Sequence, residues 1–287
     1  MRILIPAILV LCLILALLIR GLVSLLSDGK NPKEQPEPQT SSAKETTSSL
    51  PESTEKIPET LPPETEPVSL PVPTFLSDLS AYETYMNPDG DEYLFLVNAD
   101  HLLDESYLPD DLTDVTDTRK DGRATQKMRL YAAKSLEAFL IEARANGIGD
   151  VTVTSAYRSY SYQRQLFDSY TDGEMKNNPS LSRAEAEKIT ETYSARPGTS
   201  EHQSGLCCDM HNIASADKSF AKTEAAEWLK NNCCKFGFIL RYPEDKTEIT
   251  KIDFEPWHFR YIGRFHATKM HESGLCLEEY VESLKGN

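Results

Sequence analysis

Downstream of residue 75 the chain switches repeatedly between a helical and a strand period of apolar positions. The stretch TQKMRLYAAKSLEAFLIEARANG carries apolar side chains at Met128, Tyr131, Leu136, Phe139 and Leu140, which predicts an amphipathic helix ended by Gly147. DVTVTSAYRS then alternates and is β-branched, predicting a strand that ends near Tyr157. Helical periods return in SYQRQLFDSYTDGEMKN and in SRAEAEKITETYS, where Ser182 and Glu185 have the spacing of a capping box. GLCCDMH reads as a strand, TEAAEWLKNNCCKFG as a helix stopped at Gly237, and FILRY as a strand. KIDFEPWHFRYIG is a strand interrupted by Pro256, and two short helices close the chain. Upstream, EYLFLVNADHLLDESYLPDDL predicts a short strand followed by an aspartate-rich loop. Long helices come early and strands cluster late. This order predicts an α+β domain with a small antiparallel sheet packed with helices, rather than a βαβ series.

The N-terminal pattern is different. Ile3 to Ile19 form an unbroken apolar run between Arg2 and Arg20, and GLVSLL follows. The combined segment reaches the ~20 residues that a membrane-spanning helix needs. With no small-residue cleavage pattern after it, residues 1–27 are expected to be an uncleaved anchor, a cleaved signal peptide being the competing reading. Arg2 would keep that end cytoplasmic and place the remainder outside a single-pass membrane protein. Residues 28–74 hold ten of the seventeen prolines in a Pro/Thr/Ser/Glu-rich tract, too poor in apolar surface to form a core, and are expected to be a disordered tether. Residues 75–287 are then the globular domain.

Charge removes one class of function. The net charge is -15 at pH 7, and no cluster of Lys and Arg is available for phosphate binding, which argues against nucleic acid. The six cysteines include the adjacent pairs Cys207–Cys208 and Cys233–Cys234, with Cys276 near the C-terminus. No C-x-x-C spacing exists, so a thiolate zinc site is not expected. A disulfide between one member of each pair, or buried free thiols, are the two open readings. The sequence is silent on oligomeric state.

Four side chains draw attention as chemistry. His202 and Asp209 flank a glycine-containing turn into a strand, while EPWHF supplies Glu255 and His258 three positions apart. Two imidazoles and a carboxylate are a sound donor set for Zn2+, and three protein donors leave one position for water. Glu255 is the candidate base beside them. His101, His211, His266 and His271 are read as surface or hydrogen-bonded histidines.

Four blocks in order, TSAYRSYSYQRQLF, ARPGTSEHQSGLCCDM, KFGFILRYP and FEPWHFRYIG, resemble the VanY-type D-alanyl-D-alanine carboxypeptidases, zinc peptidases grouped with lysostaphin-like enzymes and the hedgehog fold. The resemblance covers roughly Leu94 to Tyr280. It implies His202, Asp209 and His258 as zinc ligands, Glu255 as acid/base, and Arg158 beside the metal as the oxyanion partner. It further implies Gln163 and Ser200 as groups that orient the substrate carboxylate, with Tyr193 lining the same cleft. The implied activity is removal of the C-terminal D-alanine from peptidoglycan stem peptides, as a D,D- or L,D-carboxypeptidase in cell-wall remodelling. The alternatives are a non-catalytic wall-binding or sensing module of the same fold and a peptidoglycan endopeptidase. The sequence departs from the family pattern in having Cys207 and Cys208 where small apolar residues are usual, and Lys251 and Phe254 where Gly and Tyr are more common.

Overall fold

The structure, a computed structural model, describes residues 73–285. The expected tether over 28–74 falls almost wholly outside these residues. The expectation of a membrane anchor is corrected. No helix among the described residues is long and apolar enough to cross a membrane, and residues 1–27, on which the anchor was placed, lie outside them. The membrane attachment, single-pass topology and extracytoplasmic location expected from that segment are corrected with it.

The α+β architecture is as expected. A four-stranded antiparallel sheet runs in the order β3 (Thr152–Ser155), β4 (Cys207–His211), β6 (His258–Tyr261), β5 (Phe238–Leu240). A two-stranded ribbon pairs β1 (Leu112–Asp114) with β2 (Lys127–Arg129). Among the described residues, eight α-helices pack around them: α1 (Glu83–Met86), α2 (Leu130–Ala145), α3 (Tyr160–Asn177), α4 (Arg183–Thr190), α5 (Glu224–Asn232), α6 (Thr247–Thr250), α7 (Arg264–Ser273) and α8 (Leu277–Lys285).

Strand alternation divides the sheet into two chemically different faces. Cys208 and Met210 of β4, Phe259 and Tyr261 of β6 and Phe238 of β5 enter the main core with Leu136, Phe139 and Leu140 of α2. Phe139 is the hub: its ring stacks on Phe236 at 4.7 Å and meets Phe259 edge-on at 6.3 Å. Ile239 points the other way into a second apolar cluster with Ala267, Met270, Leu277 and Tyr280 of α7 and α8. On β4 and β6 that other face carries Cys207, Asp209, His258 and Arg260, and here the chemistry is found.

Several boundaries differ from the periodicity. The stretch 92–100 is not a strand. Its carbonyls at Tyr93 and Phe95 accept hydrogen bonds from the Arg260 guanidinium at 3.1 and 3.0 Å, which replaces a strand partner. The helix expected from residue 125 begins at Leu130, because Lys127–Arg129 pairs with β1 and Met128 is buried from that ribbon. The strand expected from Lys251 begins only at His258. Ser182 and Glu185 do form a reciprocal capping box on α4. All five cysteines among the described residues are free and buried, so the open choice resolves to thiols.

Candidate metal centre

The β4–β6 register sets Asp209 directly opposite His258. Side chains so paired on one face of an antiparallel sheet have Cβ atoms about 5 Å apart. His202 arrives from a 3-10 turn, Glu201–Ser204, that ends at Gly205 with φ +70 and feeds β4. A Cβ at Gly205 would meet Leu112 Cδ2 at 3.0 Å and Arg129 Cγ at 3.2 Å, so glycine is required both by φ and by space. This turn brings the third donor over the strand pair.

The donor atoms converge. Asp209 places Oδ2 at 3.4 Å from His202 Nε2 and Oδ1 at 3.3 Å from His258 Nδ1. Zinc bonds at tetrahedral angles hold N and O donors roughly 3.3–3.5 Å apart, and each imidazole stands at that spacing from a different oxygen of Asp209. Asp209 Oδ1 is buried without a hydrogen-bond partner, the condition of an atom awaiting a cation. Among the described residues, His202, Cys207 and His258 form a group whose donor atoms all lie within 4.8 Å of one another.

Hydrogen bonds fix which ring nitrogen is free. His202 Nδ1 donates to the Ala156 carbonyl at 2.6 Å, leaving Nε2 as the donor to a metal. His258 Nε2 faces Glu201 Oε2 at 3.4 Å, leaving Nδ1 toward Asp209. Glu201 is wholly buried and is held through Oε1 by Arg241 Nε at 2.7 Å and Arg260 Nη1 at 3.0 Å. Burial works to raise the Glu201 pKa, but the two guanidinium groups and His258 outweigh it and hold the carboxyl well below the usual range. Arg241 spans onward to Glu278 at 2.5 and 2.8 Å. The buried charges thus close into a network that ends on the His258 ring.

Burial disfavours protonation of His202, as does Arg158, but Cys207 and Asp209 prevail and raise its pKa to about 9. Burial raises the Cys207 thiol, and the two imidazoles more than reverse it, bringing it down to about 7. For Asp209, burial is likewise overcome by His202 and His258, which keep the carboxyl far below its ordinary value.

Above the donors lies a cavity of about 350 Å³ lined by His202, His258, Glu255, Arg158, Ser200 and Tyr193, among others. Glu255 Oε2 is 3.4 Å from His258 Nδ1, and its backbone is anchored by Glu255 N donating to the Tyr242 carbonyl at 3.1 Å. Arg158 follows β3, with its backbone N–H on the His202 carbonyl at 3.1 Å. Its Nη1 donates to Gln163 Oε1 at 2.9 Å, while Nε is buried without a partner. Gln163 is fully engaged: its amide also donates to the Ala195 carbonyl at 2.7 Å, so it holds Arg158 against the cavity wall. Ser200 is buried at the cavity edge, and Tyr193 is half exposed with its hydroxyl on Glu174 Oε1 at 2.8 Å.

The structure therefore brings together His202, Asp209, His258, Glu255 and Arg158, with Gln163, Ser200 and Tyr193 around them. His211 is excluded, being bonded to Arg119, Thr154 and the Ile213 carbonyl. Sequence reading misses Cys207, Glu201, Arg241 and Arg260. Cys207 is legible in hindsight: it stands two positions before Asp209 on one strand and so shares its face. Arg260 stands in the same relation to His258.

A family model described as VanY, D-alanyl-D-alanine carboxypeptidase, matches residues 125–264. YodJ of Bacillus subtilis is 34% identical over 215 residues, covering 73% of this chain and 74% of that protein. The structure of the LdcB LD-carboxypeptidase aligns with TM-score 0.57 and 33% identity, covering 65% of this chain and 84% of that one. A zinc complex of a mutant D,D-pentapeptidase VanY from a VanB-type vancomycin-resistance cassette aligns with TM-score 0.54 and 36% identity, covering 66% of this chain and 98% of that one.

Proposed function

Because the chain belongs to the VanY family of D-alanyl-D-alanine carboxypeptidases, we propose that it is a zinc carboxypeptidase whose His202, Asp209 and His258 hold the metal, and that it removes the terminal D-alanine from peptidoglycan stem peptides. The observation that carries this reading is the convergence of two imidazoles on one carboxylate at 3.3 and 3.4 Å, beneath a cavity into which Glu255 and Arg158 also project.

Zinc held by His202, Asp209 and His258 would supply Lewis acidity to the scissile carbonyl and to a neighbouring water. Glu255 accepts the proton of the attacking water at Oε2 and returns it to the amine of the departing D-alanine. Arg158, held by Gln163, donates to the carbonyl oxygen as it gains charge. The Ala156 carbonyl and Glu201 keep both rings oriented with one nitrogen toward the ion. Ser200 and Tyr193 line the same cavity and are assigned to the terminal residue and its carboxylate.

Purified protein supplied with zinc should release D-alanine from a pentapeptide or a tetrapeptide stem, compared side by side by mass spectrometry, and should stop when a chelator is added. Zinc-loaded protein that releases nothing from either stem would favour the binding-module reading instead. Glu255→Gln should retain stoichiometric zinc while losing about 10²–10⁴-fold in kcat. Undiminished turnover in that variant removes Glu255 from the reaction.

A further inference from the structure

Cys207 is fully buried, yet it belongs to neither apolar cluster of the protein. Its neighbour Cys208 shows the contrast, since Cys208 points into the main core beside Met210 and Phe259. Cys207 instead shares the opposite face of β4 with Asp209 and pairs across the sheet with Arg260. A thiol placed only to fill space has no reason to sit among two imidazoles, a carboxylate and a guanidinium. A smaller side chain at this position would leave the same strand but no donor atom.

The thiol and the two imidazoles have the spacing of potential metal donors. The sulfur and one nitrogen from each of His202 and His258 all lie within 4.8 Å of one another. Zinc with bonds of about 2.3 Å to sulfur and about 2.0–2.1 Å to nitrogen would draw such atoms to roughly 3.5 Å, a closure of about an ångström within side-chain reach. Neither Cys207 nor Asp209 lines the cavity, whereas His202 and His258 do. The sulfur therefore lies on the β4 side of the imidazoles, away from the space a substrate enters.

We propose that Cys207 is an additional donor to the metal, its thiolate reaching the ion from the β4 floor beneath the cavity. The resting centre then has four protein donors, His202, Asp209, His258 and Cys207. Access from the cavity requires either a fifth coordination position, which catalytic zinc sites can adopt, or release of the sulfur. This inference rests on the zinc reading above. The thiol would lose its proton to solvent as the sulfur–metal bond forms.

Cobalt(II) substitution tests it, because cobalt reports its donors optically. The full chain is loaded with cobalt(II), the metal content measured, and visible and near-ultraviolet spectra recorded for the unaltered protein and for Cys207→Ala, Cys207→Ser and Cys208→Ala. The expected result is one cobalt per chain, with a sulfur-to-cobalt charge-transfer band that Cys208→Ala keeps and both Cys207 variants lose while retaining ligand-field bands. Cobalt bound with ligand-field bands but no charge-transfer band in the unaltered protein overturns the role of Cys207 and leaves the zinc reading intact. A band that persists in the Cys207 variants overturns it equally. Absence of bound cobalt and of bound zinc overturns both. Since absence of the band in the unaltered protein already overturns the proposal, a Cys207→Ala variant that fails to fold does not shield it, and Cys207→Ser supplies the second measurement.

Discussion

Two imidazoles pressed against one carboxylate hold protons that a metal has to displace. Burial and Arg158 oppose protonation of His202, but Cys207 and Asp209 lift its pKa to about 9, above the 6.5 of an ordinary histidine. A raised histidine stabilises the metal-free fold fully below the unfolded value near 6.5, and that contribution fades as pH climbs through about 9. Zinc requires the neutral ring, so its apparent affinity moves in the opposite sense and strengthens across the same window. Chelator-competition titrations between pH 6.5 and 9 should show a rise of about tenfold per pH unit for each proton displaced. An affinity that stays flat over that range would mean that the imidazoles are not ligands. The residue scale also separates roles that residue type alone merges. Gln163 has both ends of its amide occupied, by Arg158 and by the Ala195 carbonyl, so it holds the Arg158 guanidinium in place.

Elements decide whether those residues meet. The turn Glu201–Ser204 and Gly205 carry the chain from His202 into β4, and the glycine is packed against Leu112 of β1 and Arg129 of β2. Arg129 N also donates to the Gly205 carbonyl at 2.8 Å, tying the ribbon to the turn. Gly205→Ala is expected to destabilise the protein by about 1–2 kcal/mol from the left-handed backbone alone. The contacts at 3.0 and 3.2 Å should add to that cost and shift His202 relative to Asp209. Urea midpoints and zinc affinity measured on the same variant should fall together. A variant with a lowered midpoint but native zinc affinity would show that the turn does not set the donor geometry. Element type was readable wherever the period was long, as in α2, α3 and β4. It failed at 92–100, where a short apolar stretch forms no strand and spends its carbonyls at Tyr93 and Phe95 on Arg260. It also failed at the start of α2, where a non-local partner, β1, takes Lys127–Arg129 out of the helical run.

For the whole molecule the deciding feature is the charge buried behind the metal centre. Glu201, Arg241 and Arg260 have fully buried side chains, and Glu278 closes the set from α8. Removing one partner of such a group leaves the others uncompensated in a poorly solvated interior. Glu201→Ala should therefore lose about 3–5 kcal/mol of folding stability. Differential scanning calorimetry of the metal-free variant against the unaltered protein measures it, and a loss below ~1 kcal/mol would place the two arginines in contact with solvent. The same network explains why the site was only partly legible. Motif order and side-chain period, both written along the chain, were enough for the α+β class and the family. Only the tertiary structure decided which ring nitrogen of each histidine faces Asp209, that Cys207 shares the face of Asp209 and His258 while its sulfur stays reduced, and that Glu201 is a buried anchor for His258. Period depends on neighbours one to four positions away and is visible in any window. Burial and charge pairing depend on what the fold places alongside, and Glu201 meets its partners His258, Arg260 and Arg241 across 57, 59 and 40 positions of chain.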